Sequence, residues 1–180
     1  MAKLRAFKII LVRHGLAGKA DASRFPDDDL RPLTGKGKQA FAKAARGLRA
    51  LDILPVRIHA SPALRTWQTA EILAQALGLK RGAIKSIPEL HHHSPPASAL
   101  AKLARLARPD RSKAASALVL VGHEPWLGEF LSLLVAGGPG AHFHLAKGGA
   151  CQVHAEAVEP GGGRLEWCLT QDQLRALSRD

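Results

Sequence analysis

Three short strand-like segments, each halted by a small or polar residue and followed by a stretch of helical spacing, constrain this chain's fold more than any other feature. Phe7 to Val12 is continuously apolar apart from Lys8, as strands buried on both faces of a parallel sheet are. Ala117 to Val121 repeats the pattern, Val56 to Ala60 also reads as a strand, and Ala83 to Ile87 adds a shorter candidate. Helical intervals fill the gaps. From Thr34, a candidate N-cap, Phe41, Ala44, Ala45, Leu48 and Leu51 share one face. After Ser61-Pro62, Leu64, Trp67, Ala70, Leu73 and Leu77 do the same up to Gly78. Leu100, Leu103, Ala104 and Ala107 predict a helix that stops at Pro109, and Trp126, Leu127, Phe130, Leu131 and Leu134 predict another with Pro125 in its first turn. Gly149 to Val158 and Arg164 to Leu169 read as two strands joined by Pro160-Gly161-Gly162-Gly163, with a short helix near Gln171 to Leu177. The expected fold is a three-layer α/β/α sandwich on a mostly parallel, mixed central sheet with a hairpin at one side.

The chain's 180 residues, 46% of them hydrophobic, suit one core, so a single domain over residues 1–180 is expected. The basic N-terminus runs into only four apolar residues before Arg13, too short for a secretory signal and far from the roughly 18 a membrane helix needs. Cys151 and Cys168 are too few for a disulfide framework. If the glycine-rich stretch is the tip of the hairpin, Cys151 faces a residue several places beyond Cys168, and both read as free thiols of a cytoplasmic protein. Charge is unevenly placed: residues 1–123 hold 22 Lys/Arg against 8 Asp/Glu, whereas residues 124–180 hold 4 against 7. Such a field attracts phosphorylated or acidic partners. Specific nucleic-acid binding is not expected, because the cations are dispersed and no zinc-finger spacing, aromatic-laced basic stripe or arginine-rich tail is present.

Ligands of such sheets gather outside the carboxyl ends of the strands, where His14, Ser61 and His123 fall. His14 stands between Arg13 and Gly15. A neutral imidazole can attack phosphorus, and a guanidinium can hold phosphoryl oxygens bidentately. Ser61 can cap the following helix, whose first turns carry Arg65 as a second planar anion clamp. Val121-Gly122-His123-Glu124-Pro125 repeats the arrangement around His14. Two histidines and two arginines on one rim concentrate positive charge where a phosphoryl group develops negative charge.

In this order the motifs resemble the histidine phosphatase superfamily, which includes the phosphoglycerate mutases and acid phosphatases. They are Arg13-His14-Gly15, Arg31-Pro32-Leu33-Thr34 before Gly37, Ser61-Pro62 with Arg65 and Gln68-Thr69, Pro88-Glu89-Leu90, and Gly122-His123-Glu124-Pro125. The Arg31 stretch, the segment His144 to Gly148 and the short chain look like the SixA-type phosphohistidine phosphatases. The resemblance implies a phosphoglycerate-mutase-like fold and a metal-independent, cofactor-free hydrolase with His14 as nucleophile. Arg13, Arg65 and a protonated His123 complete its phosphate pocket. Glu89 is the positional candidate for the proton donor, a role that matters less for a phosphohistidine leaving group than for an alkoxide. The implied substrate is a phosphohistidine displayed on a protein, such as a phosphotransfer domain. A small phosphorylated metabolite (sugar phosphate or nucleotide) and a non-catalytic phosphoprotein-binding module are the alternatives.

Three other clusters have plainer readings. Thr34 to Gln39 lacks the glycine spacing of a nucleotide loop and reads as a turn opening a helix. His91-His92-His93 cannot converge on one ion from a regular strand, and no metal is expected there. Asp27-Asp28-Asp29 reads as a solvated loop, and His142 and His144 could border the pocket with Lys147.

Overall fold

The computed structural model describes residues 7–53, 55–106 and 117–178. In chain order the elements are β1 (Phe7–Arg13), α1 (Gly35–Arg49), β2 (Ile58–Ala60), α2 (Leu64–Ala76), β3 (Ile84–Ser86), α3 (Pro96–Leu106), β4 (Leu118–Gly122), α4 (Trp126–Ala136), β5 (Ala150–Ala155), β6 (Gly163–Leu169) and α5 (Gln171–Leu177). Single turns of 3-10 helix lie at Asp28–Leu30, Arg81–Ala83 and Pro88–Leu90. The six strands form one sheet in the order β3-β2-β4-β1-β5-β6, with β3, β2, β4 and β1 mutually parallel, β5 antiparallel to β1, and β6 antiparallel to β5. The mixed, mostly parallel sheet expected from the alternation is present. The expected stop at Pro109 lies outside the described residues.

Alternation along β1 splits the core in two. Ile9 and Leu11 face a cluster with Leu118, Leu120, Cys151 and Val153, covered by Leu103 of α3 and by Trp126, Phe130 and Leu134 of α4. Ile10 and Val12 face the opposite cluster, where Val119, Val121 and Ile58 meet Phe41, Ala45 and Leu48 of α1, Leu73 of α2 and Leu174 of α5. Both faces of β1 are therefore buried, which is why it reads as a continuous run.

Thr34 caps α1 as expected, its Oγ1 accepting from the Gly37 N–H at 2.9 Å. Gly37 is needed for a second reason: a Cβ there would collide with the Leu16 carbonyl, so only glycine lets the segment following His14 cross the helix start. No described helix is long and apolar enough to cross a membrane.

The hairpin corrects one expectation. Strand β5 ends at Ala155, so the connecting loop is longer than the glycine-rich stretch and its centre moves back along the chain. Cys151 and Cys168 consequently pair directly across the strands, both as free thiols, Cys151 buried and Cys168 exposed.

Candidate active site

Parallel pairing of β1 with β4 sets Arg13 opposite Gly122, so the next residues, His14 and His123, leave neighbouring strands together. The His14 N–H donates to the Gly122 carbonyl at 3.1 Å, and the two rings lie 5.4 Å apart between centroids at an edge-on 62°. Strand β2 delivers Ser61 to the same rim, its N–H donating to the Val121 carbonyl at 3.0 Å. Ser61 does not cap α2: that position is held by Ala63 without a side-chain bond, and the Ser61 hydroxyl is spent on His123 Nε2 at 2.8 Å.

His14 Nδ1–H donates to the Gly15 carbonyl at 2.7 Å, which fixes the proton on Nδ1 and leaves the Nε2 lone pair free. The peptide that performs this orientation is itself held. The Gly15 N–H donates to Thr69 Oγ1 at 3.1 Å, and that hydroxyl donates to the Arg65 carbonyl at 2.7 Å. Next to it, Gln68 Oε1 accepts from the Leu33 N–H at 2.8 Å. The Gln68-Thr69 pair of the sequence motif is thus a staple between α2 and the loop that carries His14.

Burial, and then the positive charges of Arg65, Arg13 and Arg31, lower the His14 pKa to about 4. His123 is held lower still, at about 2, chiefly by burial and then by Arg65. At neutral pH both rings are uncharged. The protonated His123 expected from the sequence is not what the protein's own groups maintain, because the ring is 2% exposed and faces a guanidinium and a second imidazole.

The cationic side chains are anchored by some donors and left free at others. Arg13 Nη1 donates to the Leu145 carbonyl at 2.7 Å. Arg65 is 3% exposed, with Nη1 donating to the Asp28 carbonyl at 2.7 Å and Nη2 paired to Asp28 Oδ2 at 3.1 Å. Arg13 Nε, Arg65 Nε and His123 Nδ1 are buried without a protein hydrogen-bond partner. Leaving a buried polar group unpaired costs about 1–3 kcal/mol, so the two guanidinium N–H donors among them, on residues that line one cavity, mark a place where an anion is welcome. That cavity, about 220 Å³, is lined by Arg13, His14, Arg65 and His123 with Ala17, Asp28, Arg31, His92, Glu124 and Lys147.

The last six are what the sequence reading missed or left without a role there, Lys147 excepted. Asp28 is more than a solvated loop residue: its partly exposed carboxylate bridges Arg65 and Arg31, the latter at 2.7 Å, and the Arg31 hydrogen bond holds its pKa below the usual carboxylate range. Glu124 accepts from the Leu145 N–H at 2.9 Å, so the single residue Leu145 ties Glu124 to Arg13. Burial raises the Glu124 pKa, against the pull of that bond and of Arg13. Gly148, at φ +70, lets the His144–Gly148 segment turn back so that its own N–H donates to the His14 carbonyl at 3.0 Å.

Glu89 is not among the cavity-lining residues and sits 3.4 Å from Lys102 on α3. His142 borders a neighbouring groove instead of this pocket. The three consecutive histidines occupy a turn, not a strand, and their rings cluster, which removes the geometric objection to their convergence.

Known proteins share this fold. The profile of the histidine phosphatase superfamily, branch 1, matches residues 9–94. An uncharacterised protein of Picosynechococcus sp. is 38% identical over 152 residues, spanning 84% of this chain and 87% of that protein. Among solved structures, the protein histidine phosphatase SixA complexed with tungstate superposes with a TM-score of 0.76 at 24% identity, covering 93% of this chain and 99% of that one. A SixA homologue from Nakamurella multipartitia gives 0.66 at 26% identity over 92% and 96% of the two chains. The mycobacterial glucosyl-3-phosphoglycerate phosphatase gives 0.64 at 16% identity over 91% and 99%. The chain belongs to the histidine phosphatase superfamily and is a phosphatase.

Proposed function

We propose that this phosphatase, one domain over residues 1–180, hydrolyses phosphohistidine on a protein through a phosphorylated His14, without a metal ion. The observation that carries the reading is the fixed tautomer of His14, with Nδ1–H on the Gly15 carbonyl and Nε2 free beside Arg13, Arg65 and His123. His14 Nε2 attacks phosphorus in line, the bond to the departing imidazole breaks, and the phosphoryl group becomes attached to His14. Water then attacks, the His14 N–P bond breaks, and His14 regains its lone pair with the Nδ1 proton unmoved. Arg13 and Arg65 hold the phosphoryl oxygens through both steps, with His123 Nδ1 as a further contact. A dianion arriving there favours protonated His123, which offsets the burial that keeps the ring neutral otherwise.

The choice of phosphohistidine rests on the acid. Glu89, the positional candidate, is not among the residues lining the cavity and has Lys102 at 3.4 Å. Glu124 reaches the cavity, but its Oε1 is engaged as an acceptor from Leu145. An imidazole leaves as a neutral ring when its other nitrogen carries a proton, and so tolerates this shortage better than an alkoxide does. The SixA likeness points the same way. A phosphomonoesterase is the second reading, favoured by the raised pKa of Glu124, which could then serve as the donor. The test compares hydrolysis of a phosphohistidine protein with a panel of phosphoesters, using wild type, His14→Ala and Glu124→Gln. The proposal expects preference for phosphohistidine and little effect of Glu124→Gln on it. Preference for an ester that collapses in Glu124→Gln would replace it.

A further inference from the structure

We propose that His91, His92 and His93 form a binding site for one imidazole-preferring divalent cation, of the class of Zn2+, at the rim of the phosphoryl pocket. Behind the 3-10 turn at Pro88–Leu90 the chain makes another turn, with the Ser94 N–H donating to the His91 carbonyl at 2.9 Å. A turn places consecutive side chains on one side, where a strand would alternate them. The ring centroids lie 4.2 Å apart for His91 and His92, 3.9 Å for His92 and His93, and 5.1 Å for His91 and His93. One ring nitrogen from each lies within 4.8 Å of the others, and among the described residues no other group of three such donors is so placed. Tetrahedral ligands about 2.0–2.1 Å from zinc sit roughly 3.4 Å apart, so a modest rotation of exposed and half-buried rings closes the site.

Two further observations point to a cation. His91 Nε2 pairs with Asp29 Oδ2 at 2.7 Å, the carboxylate–histidine relay that orients metal-binding imidazoles, which leaves Nδ1, now accepting from the His93 N–H at 3.3 Å, as its metal-binding nitrogen. His92 Nδ1 is buried with no protein partner. Arg65 opposes a cation at His92, and Asp29 favours one. Imidazole donors without a carboxylate or carbonyl cage select Zn2+, Ni2+ or Cu2+ over Mg2+ or Ca2+.

The location gives the site a consequence. His92 lines the phosphoryl cavity, and its ring is 5.2 Å from that of His123. A cation held by three imidazoles keeps a coordination position for an oxygen ligand, and a phosphoryl oxygen in the cavity can take it. Bound zinc therefore retains phosphate and slows turnover. This consequence rests on the phosphatase reading, whereas the binding does not.

Calorimetric titration of Zn2+ into the full chain, with Co2+ absorption reporting coordination, tests the site. One equivalent binds wild type, and Co2+ gives the intense visible bands of a four-coordinate centre. Asp29→Asn weakens Zn2+ binding by about 10-fold and His93→Ala by about 100-fold, with melting curves verifying that each variant folds. Zinc inhibition of phosphatase activity weakens in the same order. Failure of Zn2+ to bind wild type, or binding that survives His93→Ala and disappears in His14→Ala, overturns the proposal. Zinc binding with the expected variant pattern in a protein inactive on every phosphorylated substrate would leave the site standing and remove the phosphatase reading alone.

Discussion

The exits of β1 and β4 are near copies in sequence and differ in what their histidines can do. Each strand is apolar, reaches the rim in parallel register with the other, and releases a histidine beside a glycine. At β1 the imidazole donates to a carbonyl of its own loop, leaving a free Nε2 and a pKa of about 4. At β4 the equivalent nitrogen is occupied by Ser61, the other is buried without a protein partner, and the pKa is about 2. Strand position makes a histidine available, and under the proposed mechanism the partner of its second nitrogen decides whether it attacks or holds.

Mutation of the two histidines should separate those roles most strongly. His14→Ala is expected to lower kcat on the order of 10^4-fold or more in steady-state assays, as loss of a nucleophile does. His123→Ala, which removes one oxyanion contact, should cost about 10^2–10^3-fold and still form phosphoenzyme. An equal loss in both variants would break the distinction. Ser61→Ala is the next effect in size: it removes the partner of His123 Nε2, so that neither ring nitrogen has a protein partner, and should lower stability by about 1–3 kcal/mol in denaturant titrations. It should reduce kcat/KM less than His123→Ala does.

Acid exposes the same contrast through stability. His14, His59 and His123 all have folded pKa values below the ordinary 6.5, near 4, 4 and 2 respectively, chiefly through burial. Their stabilising contribution is therefore complete above pH 6.5. As pH falls, the unfolded chain takes up protons that the folded chain refuses, costing up to about 1.4 kcal/mol per pH unit for each. Melting temperature should drop between pH 6.5 and 4, less steeply in His123→Gln, and turnover of phosphohistidine should persist at pH 5, where an ordinary histidine is mostly protonated. Glu89→Gln should have the smallest effect, within about 0.5 kcal/mol of stability and with little change in phosphohistidine turnover.

Much of this was legible in the sequence because β1, β4 and the amphipathic helices are local patterns. The run Phe7–Val12 and the face of Phe41, Ala45 and Leu48 needed no tertiary information to be read. The grouping of Arg13, His14, Arg65 and His123 followed from strand ends sharing a rim, and those four do line one cavity. What was hidden depended on partners distant along the chain. The bridging role of Asp28 was hidden because Arg65 lies 37 residues away, and Glu124 had no role until Leu145 and Arg13 were seen around it. Glu89 sits where a linear motif suggested, yet Lys102 is its neighbour. The cysteine register failed because the loop after Ala155 is longer than its glycines. The histidine triplet was judged on strand geometry, and it occupies a turn.

The most direct test is rapid acid-free quenching of wild type during turnover, followed by peptide mapping of the phosphoryl label. The label should appear on the peptide containing His14, at Nε2, and vanish in His14→Ala. Label on His123, or full turnover with His14 replaced, would contradict the account.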